Sequence, residues 1–144
     1  MTEERKRGGF ESVDHTADVA LRAWGQDMEA VFQQAAAGLI DLMLDPDTVR
    51  PAEERKVEAE AEEPDELLVD WLSEIHYLFE GKGFAPAEVE IQEFAETRIR
   101  GTLRGEPLDR EKHETRTAIK AVTYHDLKFE RTDRGYEVRI VCDV

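Results

Sequence analysis

Two stretches of this chain carry the period of half-buried helices, which limits it to folds where two helices share a core with strands. From Met28, apolar residues recur at Phe32, Ala35, Leu39 and Leu42, in steps of four and three. In the second stretch, Leu67, Leu68, Trp71, Leu72, Ile75, Leu78 and Phe79 keep the same helical spacing. Asp27 is placed to cap the first helix, and Asp45-Pro46-Asp47 stops it. Pro64 opens the second, followed by Asp65 and Glu66, where the helix dipole favours acids. Gly81 stands where a left-handed C-terminal cap is expected.

Most of the remainder alternates with the period of strands. Residues 10–13 and 19–24 predict two strands, with Val19, Leu21 and Ala23 on one side of the second. Val57, Ala59 and Ala61 predict another over residues 56–61. Val89 with Ile91, then Ile99 with Leu103, mark two more around a turn. Residues 105–116 are polar and read as a loop. Residues 118–124 and 127–131 read as strands, and the Asp133-Arg134-Gly135 turn leads into the last one. There Tyr136, Val138, Ile140 and Cys142 share one face, while Arg139, Val141 and Asp143 share the other. This order predicts an α+β fold, with two helices packed on a mainly antiparallel sheet in a single-domain two-layer sandwich. Residues 1–9 are expected to form a charged flexible tail and residues 10–144 the domain.

The net charge is −15, from 34 acids against 19 lysines and arginines. Nucleic-acid binding draws most of its affinity from basic side chains on phosphates, so strong direct binding of RNA or DNA is not expected. Metal cations and basic protein surfaces are the natural attractions of such a chain. Apolar runs are only a few residues long, against roughly 20 for a membrane helix. The charged N-terminus has no apolar stretch behind it, so a signal peptide is not expected and a cytoplasmic protein is. The single cysteine, Cys142, excludes an internal disulfide and reads as a small buried apolar residue.

No GxxxxGK[ST], GxGxxG or GxSxG motif occurs, and neither does a lysine motif suited to a nucleotidyl adduct. His15, His76, His113 and His125 are scattered, with no HExxH or CxxC to gather them; His76 reads as a surface or packing residue of the second helix. Two polar clusters stand out, Asp14-His15-Thr16-Ala17-Asp18 and Thr123-Tyr124-His125-Asp126. Both read first as turns, because Asp and Thr bond to local backbone. Asp143 is the third feature. The apolar alternation runs through Cys142, so the sheet is expected to hold this acid in place beside the terminal carboxylate. Such a concentration of negative charge needs a cation or a basic group.

These places, with Ala23-Trp24-Gly25, Ala35-Ala36-Ala37-Gly38-Leu39, Trp71-Leu72, Tyr77-Leu78-Phe79, residues 119–127 and Val141-Cys142-Asp143-Val144, give the chain its resemblance to the archease family. The resemblance runs from about residue 10 to the end; Ala118 departs mildly, where the family pattern has Glu. It implies two strand-helix-strand-strand units, one inserted in the other. It also implies a non-enzymatic activator of the RtcB-type RNA ligase of tRNA splicing, one that promotes guanylylation and multiple turnover and broadens nucleotide use. The family's divalent-metal site, seen with calcium, carries over to Asp18, Asp143 and an oxygen of Val144. Asp14, His15, Lys120 and His125 stand by as groups that would meet the partner or support the site. An all-oxygen set suits calcium, with magnesium or manganese as alternatives. Two other functions are open at this point: a metal-dependent hydrolase using His125 or Asp14 as acid or base, and a chaperone or modulator of RNA-processing proteins.

Overall fold

A computed structural model of the chain describes residues 8–14 and 17–144, apart from the side chain of Asp14. The elements follow in the order β1 (Gly8–Asp14), β2 (Asp18–Gly25), α1 (Met28–Met43), a 3-10 turn (Pro46–Thr48), β3 (Glu53–Glu60), α2 (Pro64–Glu80), β4 (Phe84–Ala95), β5 (Arg98–Pro107), β6 (Ala121–Thr132) and β7 (Gly135–Asp143).

Both helices form where the spacing places them. The Asp27 carboxylate accepts the Ala30 N–H at 2.8 Å and starts α1. Asp45 then accepts the Asp47 N–H at 3.0 Å, which turns the chain out of the helix. Pro64 begins α2 with a nitrogen that needs no partner. Gly81, however, ends α2 in right-handed backbone (φ −91°, ψ −33°), and the left-handed residue is Gly83 at φ +65°. The cap is carried instead by the Gly81 N–H, which donates to the Tyr77 carbonyl at 2.7 Å.

The α+β class is as expected, but the strands divide between two antiparallel sheets, in the orders β1-β2-β7-β6 and β3-β5-β4. The four-stranded sheet and α1 form one strand-helix-strand-strand unit, β2-α1-β6-β7; the second, β3-α2-β4-β5, is inserted between α1 and β6. β1 opens at Gly8, two residues before the alternation begins. β5 runs on to Pro107, into the predicted loop. Residues 118–120 lie outside β6, and the two strands predicted over 118–131 are one strand with an irregularity between Thr123 and Lys128.

The helices join the sheets. α1 packs on β1 and β2 and reaches β4, while α2 packs on β3 and β6. The Phe32 ring lies 5.0 Å from Phe94 of one sheet and 6.3 Å from Phe129 of the other. Fully buried Trp71 donates its indole N–H to the Phe32 carbonyl at 3.2 Å. Its ring rests on Gly101 of the central β5 strand, where a Cβ would come within 2.7 Å of the indole. One side chain therefore ties α2 to α1 and to the three-stranded sheet.

Candidate metal centre

Alternation puts Val19, Leu21 and Ala23 on the core face of β2, opposite Cys142, Ile140 and Val138 of β7. Asp18 and Asp143 then fall on the outer face, and the register makes them direct partners. Directly opposed residues of an antiparallel pair have Cβ atoms about 4.5–5.5 Å apart. Two carboxylates separated by 125 positions in the chain thus share one end of the four-stranded sheet. Asp143 is exposed and Asp18 half-buried, and among the described residues neither has an ion-pair partner. Adjacent Cys142 is fully buried, and its thiol is pushed up to about 12, first by burial and then by the Asp143 charge. It packs as a small apolar residue and is not a thiolate ligand.

β6 closes the other flank. Ala121 pairs with Asp143, and the Lys120 N–H donates to the Asp143 carbonyl at 2.8 Å. Exposed Lys120 is thereby tied beside the acid by its backbone. Val144 is half-buried against the core. Asp14 pairs through its backbone with Val19, which brings the β1–β2 connection to the same end; its side chain, His15 and Thr16 lie outside the described residues. His125 is exposed, with Nε2 3.4 Å from Asp126, and does not join the pair. Among the described residues no group of three or more His, Cys, Asp or Glu forms a ready metal cage. Two hard oxygen donors on a rigid strand pair suit a hard cation, and they leave most of a calcium shell to other donors.

A second polar cluster was invisible in the sequence. Glu106, 9% exposed, accepts the Arg50 N–H at 2.9 Å, the Lys112 ammonium at 2.8 Å and lies 2.8 Å from His113 Nε2. His113 Nδ1 accepts the Asp109 N–H at 3.0 Å, so a neutral ring carries its proton on Nε2 and donates it to Glu106. Nothing in a polar stretch read as a loop foretells this pairing over seven residues. The Arg50 N–H, then Lys112 and His113, lower the Glu106 carboxyl to about 2. Perturbed groups often mark function, but each of these oxygens is already engaged, and the cluster serves to fasten residues 106–113 and the chain after the 3-10 turn. Its carboxyl lies below its ordinary value, so its contribution to stability is present above about pH 4.5 and is lost as pH falls toward 2. Glu106→Gln is expected to melt well below wild type at pH 7, with the gap closing between pH 4.5 and 2. A gap that stays constant over that range in a thermal melting series would contradict the assignment.

Among the described residues no helix is long and apolar enough to cross a membrane. A model of the archease protein family matches residues 10–144. The protein archease of Methanopyrus kandleri is 41% identical over 138 residues, covering 94% of this chain and 99% of its own. That of Methanosarcina mazei is 35% identical over 139 residues, covering 94% and 95%. The solution structure of protein 1598 of Methanobacterium thermoautotrophicum superposes with a TM-score of 0.78 at 35% identity, over 94% of this chain and 99% of that one. The crystal structure of an archease, a possible chaperone, from Thermotoga maritima gives a TM-score of 0.64 at 29% identity, over 93% and 96%.

Proposed function

The chain belongs to the archease family, and from that premise we propose that it is a non-enzymatic activator of an RtcB-type RNA-splicing ligase, acting through a divalent cation held at Asp18 and Asp143. The observation that carries the reading is the direct pairing of these two acids on the outer face of the sheet, at one end of its two inner strands. When bound, the cation would supply a concentrated positive charge to oxygen ligands of the partner.

The chain's own contribution is placement. Backbone pairing on both sides of β7 holds the Asp143 Cα between those of Asp18 and Ala121, so its carboxylate meets a cation without ordering a loop. Two aspartates with a Val144 oxygen leave coordination positions for water and for groups of the ligase, as calcium's six to eight ligands require. The absence of any phosphate-binding or adduct-forming motif favours an activator over an enzyme.

The test is RNA ligation by the cognate ligase under multiple-turnover conditions, with and without this protein. The expected result is repeated turnover and faster guanylylation only when it is present. Equal rates with and without it would remove the reading, and a stable GTP adduct on this chain alone would exclude its being a pure activator.

A further inference from the structure

Between Thr123 and Lys128 β6 takes five residue steps while its partner β7, from Val141 to Arg139, takes two. The surplus leaves the sheet as a bulge. Thr123 braces it: its hydroxyl donates to the Val141 carbonyl at 2.8 Å and accepts the His125 N–H at 3.2 Å. Asp126 completes the turn at φ +53°. The result is that Tyr124 stands out from the protein with 54% of its surface exposed, more than the two other exposed large apolar side chains among the described residues, Val13 and Tyr77. Tyr77 is covered by an intramolecular cation, Lys82, 5.7 Å from its ring. Among the described residues the Tyr124 ring has no such partner.

Helix α2 runs alongside. His76 Nε2 lies 2.6 Å from the Ile119 carbonyl, and α2 packs on β6, with Asp70, Glu66 and Asp65 near enough for their charges to act on Tyr124. The phenol is held above the usual tyrosine range, first by partial burial and then by the charges of Asp70, Glu66 and Asp65. Those three carboxylates have no ion pair among the described residues. The acids on the exposed face of the three-stranded sheet differ. Four of them, Glu54, Glu60, Glu90 and Glu93, each pair with an arginine of β5, which counters part of the charge on that face from within.

We infer that Tyr124, flanked by Asp65, Glu66 and Asp70, is the docking surface for a basic segment of the partner ligase, which sets an arginine or lysine side chain over the exposed ring. The inference rests on the ligase-activator reading. A cation over a tyrosine face gains from the ring quadrupole, and nearby carboxylates strengthen that preference. Protruding aromatic side chains are also the residue class that most often anchors a protein interface. Unpaired acids around the anchor steer a basic surface toward it and speed association. The position is continuous with the metal centre, because the bulge begins two residues after Ala121, the β6 partner of Asp143. Docking at Tyr124 would therefore bring the Asp18–Asp143 end of the sheet against the ligase.

The experiment is binding of the full chain to the immobilised cognate ligase, with turnover measured in parallel at saturating protein. Tyr124→Ala is expected to raise Kd about tenfold or more while keeping wild-type turnover at saturation; Tyr124→Phe, which keeps the ring, is expected to bind as wild type. The triple variant Asp65→Asn, Glu66→Gln, Asp70→Asn is expected to associate more slowly and with a weaker dependence on salt. Circular dichroism confirms that each is folded. If wild type binds and Tyr124→Ala binds equally well, or loses turnover at saturation without losing affinity, this inference fails and the activator reading stands. If wild type itself does not bind the ligase, both fail.

Discussion

Asp18→Ala and Asp143→Ala are each expected to lower ligation to the rate of the ligase alone while leaving the fold intact. Both side chains stand on the outer face of the four-stranded sheet, away from the core residues Val19 and Cys142. Surface changes of this kind usually cost less than about 0.5 kcal/mol, and for a domain of this size that moves the melting temperature by only about 2 °C. Neither acid has an ion-pair partner among the described residues, so its removal breaks no structural bond of that kind and relieves repulsion between the pair. The discriminating readout is calcium. A ligand that binds only the folded state raises its melting temperature, so added calcium is expected to stabilise wild type and to have no effect on either variant. Variants that still activate the ligase, or that calcium still stabilises, would show that the pair is not the metal centre.

Trp71→Ala is expected to have the largest effect on stability, about 3–5 kcal/mol. The indole is fully buried where α1, α2 and β5 converge, and its ring lies against Gly101. Truncation leaves a cavity that neither helix can fill without abandoning its own sheet, and it strips the Phe32 carbonyl of its 3.2 Å hydrogen bond. Since a whole domain is stable by only about 5–15 kcal/mol, melting should fall by roughly 10 °C or more. Trp71→Phe retains most of the volume and is expected to lose much less, about 1–2 kcal/mol, part of it the unmade hydrogen bond. A Trp71→Ala protein that melts within about 3 °C of wild type, a margin set by the same scale, would mean that other contacts hold α2 to α1 and to the three-stranded sheet.

How much of this was legible beforehand differs by element. The helices were plain because their period is set by backbone geometry and by one large shared core, so Met28 to Leu42 and Leu67 to Phe79 could be placed from spacing alone. Strand alternation showed which side of β2 and β7 is buried, and so put Asp143 on the face away from Cys142. It carries no information about neighbours, which is why the division into two sheets was not seen. The Asp18–Asp143 pairing belongs to this second kind: chemistry alone read the first cluster as a turn, and resemblance to a family brought the two acids together before the register did. The β6 bulge was mistaken for a turn between strands, since Thr123-Tyr124-His125-Asp126 has the composition of either. Glu106 and His113 gave no signal, because a buried hydrogen-bonded pair made by a polar segment obeys no period.

The insertion of one unit in the other has a consequence for the protein's synthesis. β7 lies between β2 and β6 and follows both in the chain, so the middle of the four-stranded sheet is filled only after the whole inserted unit has emerged. Asp18 is translated early and waits 125 residues for its partner. Pairings this distant form late because the loop must close before any contact rewards it. A chain whose synthesis has not reached β7 carries Asp18 but not the second carboxylate. The two acids stand together only on molecules in which β7 has taken its place between β2 and β6.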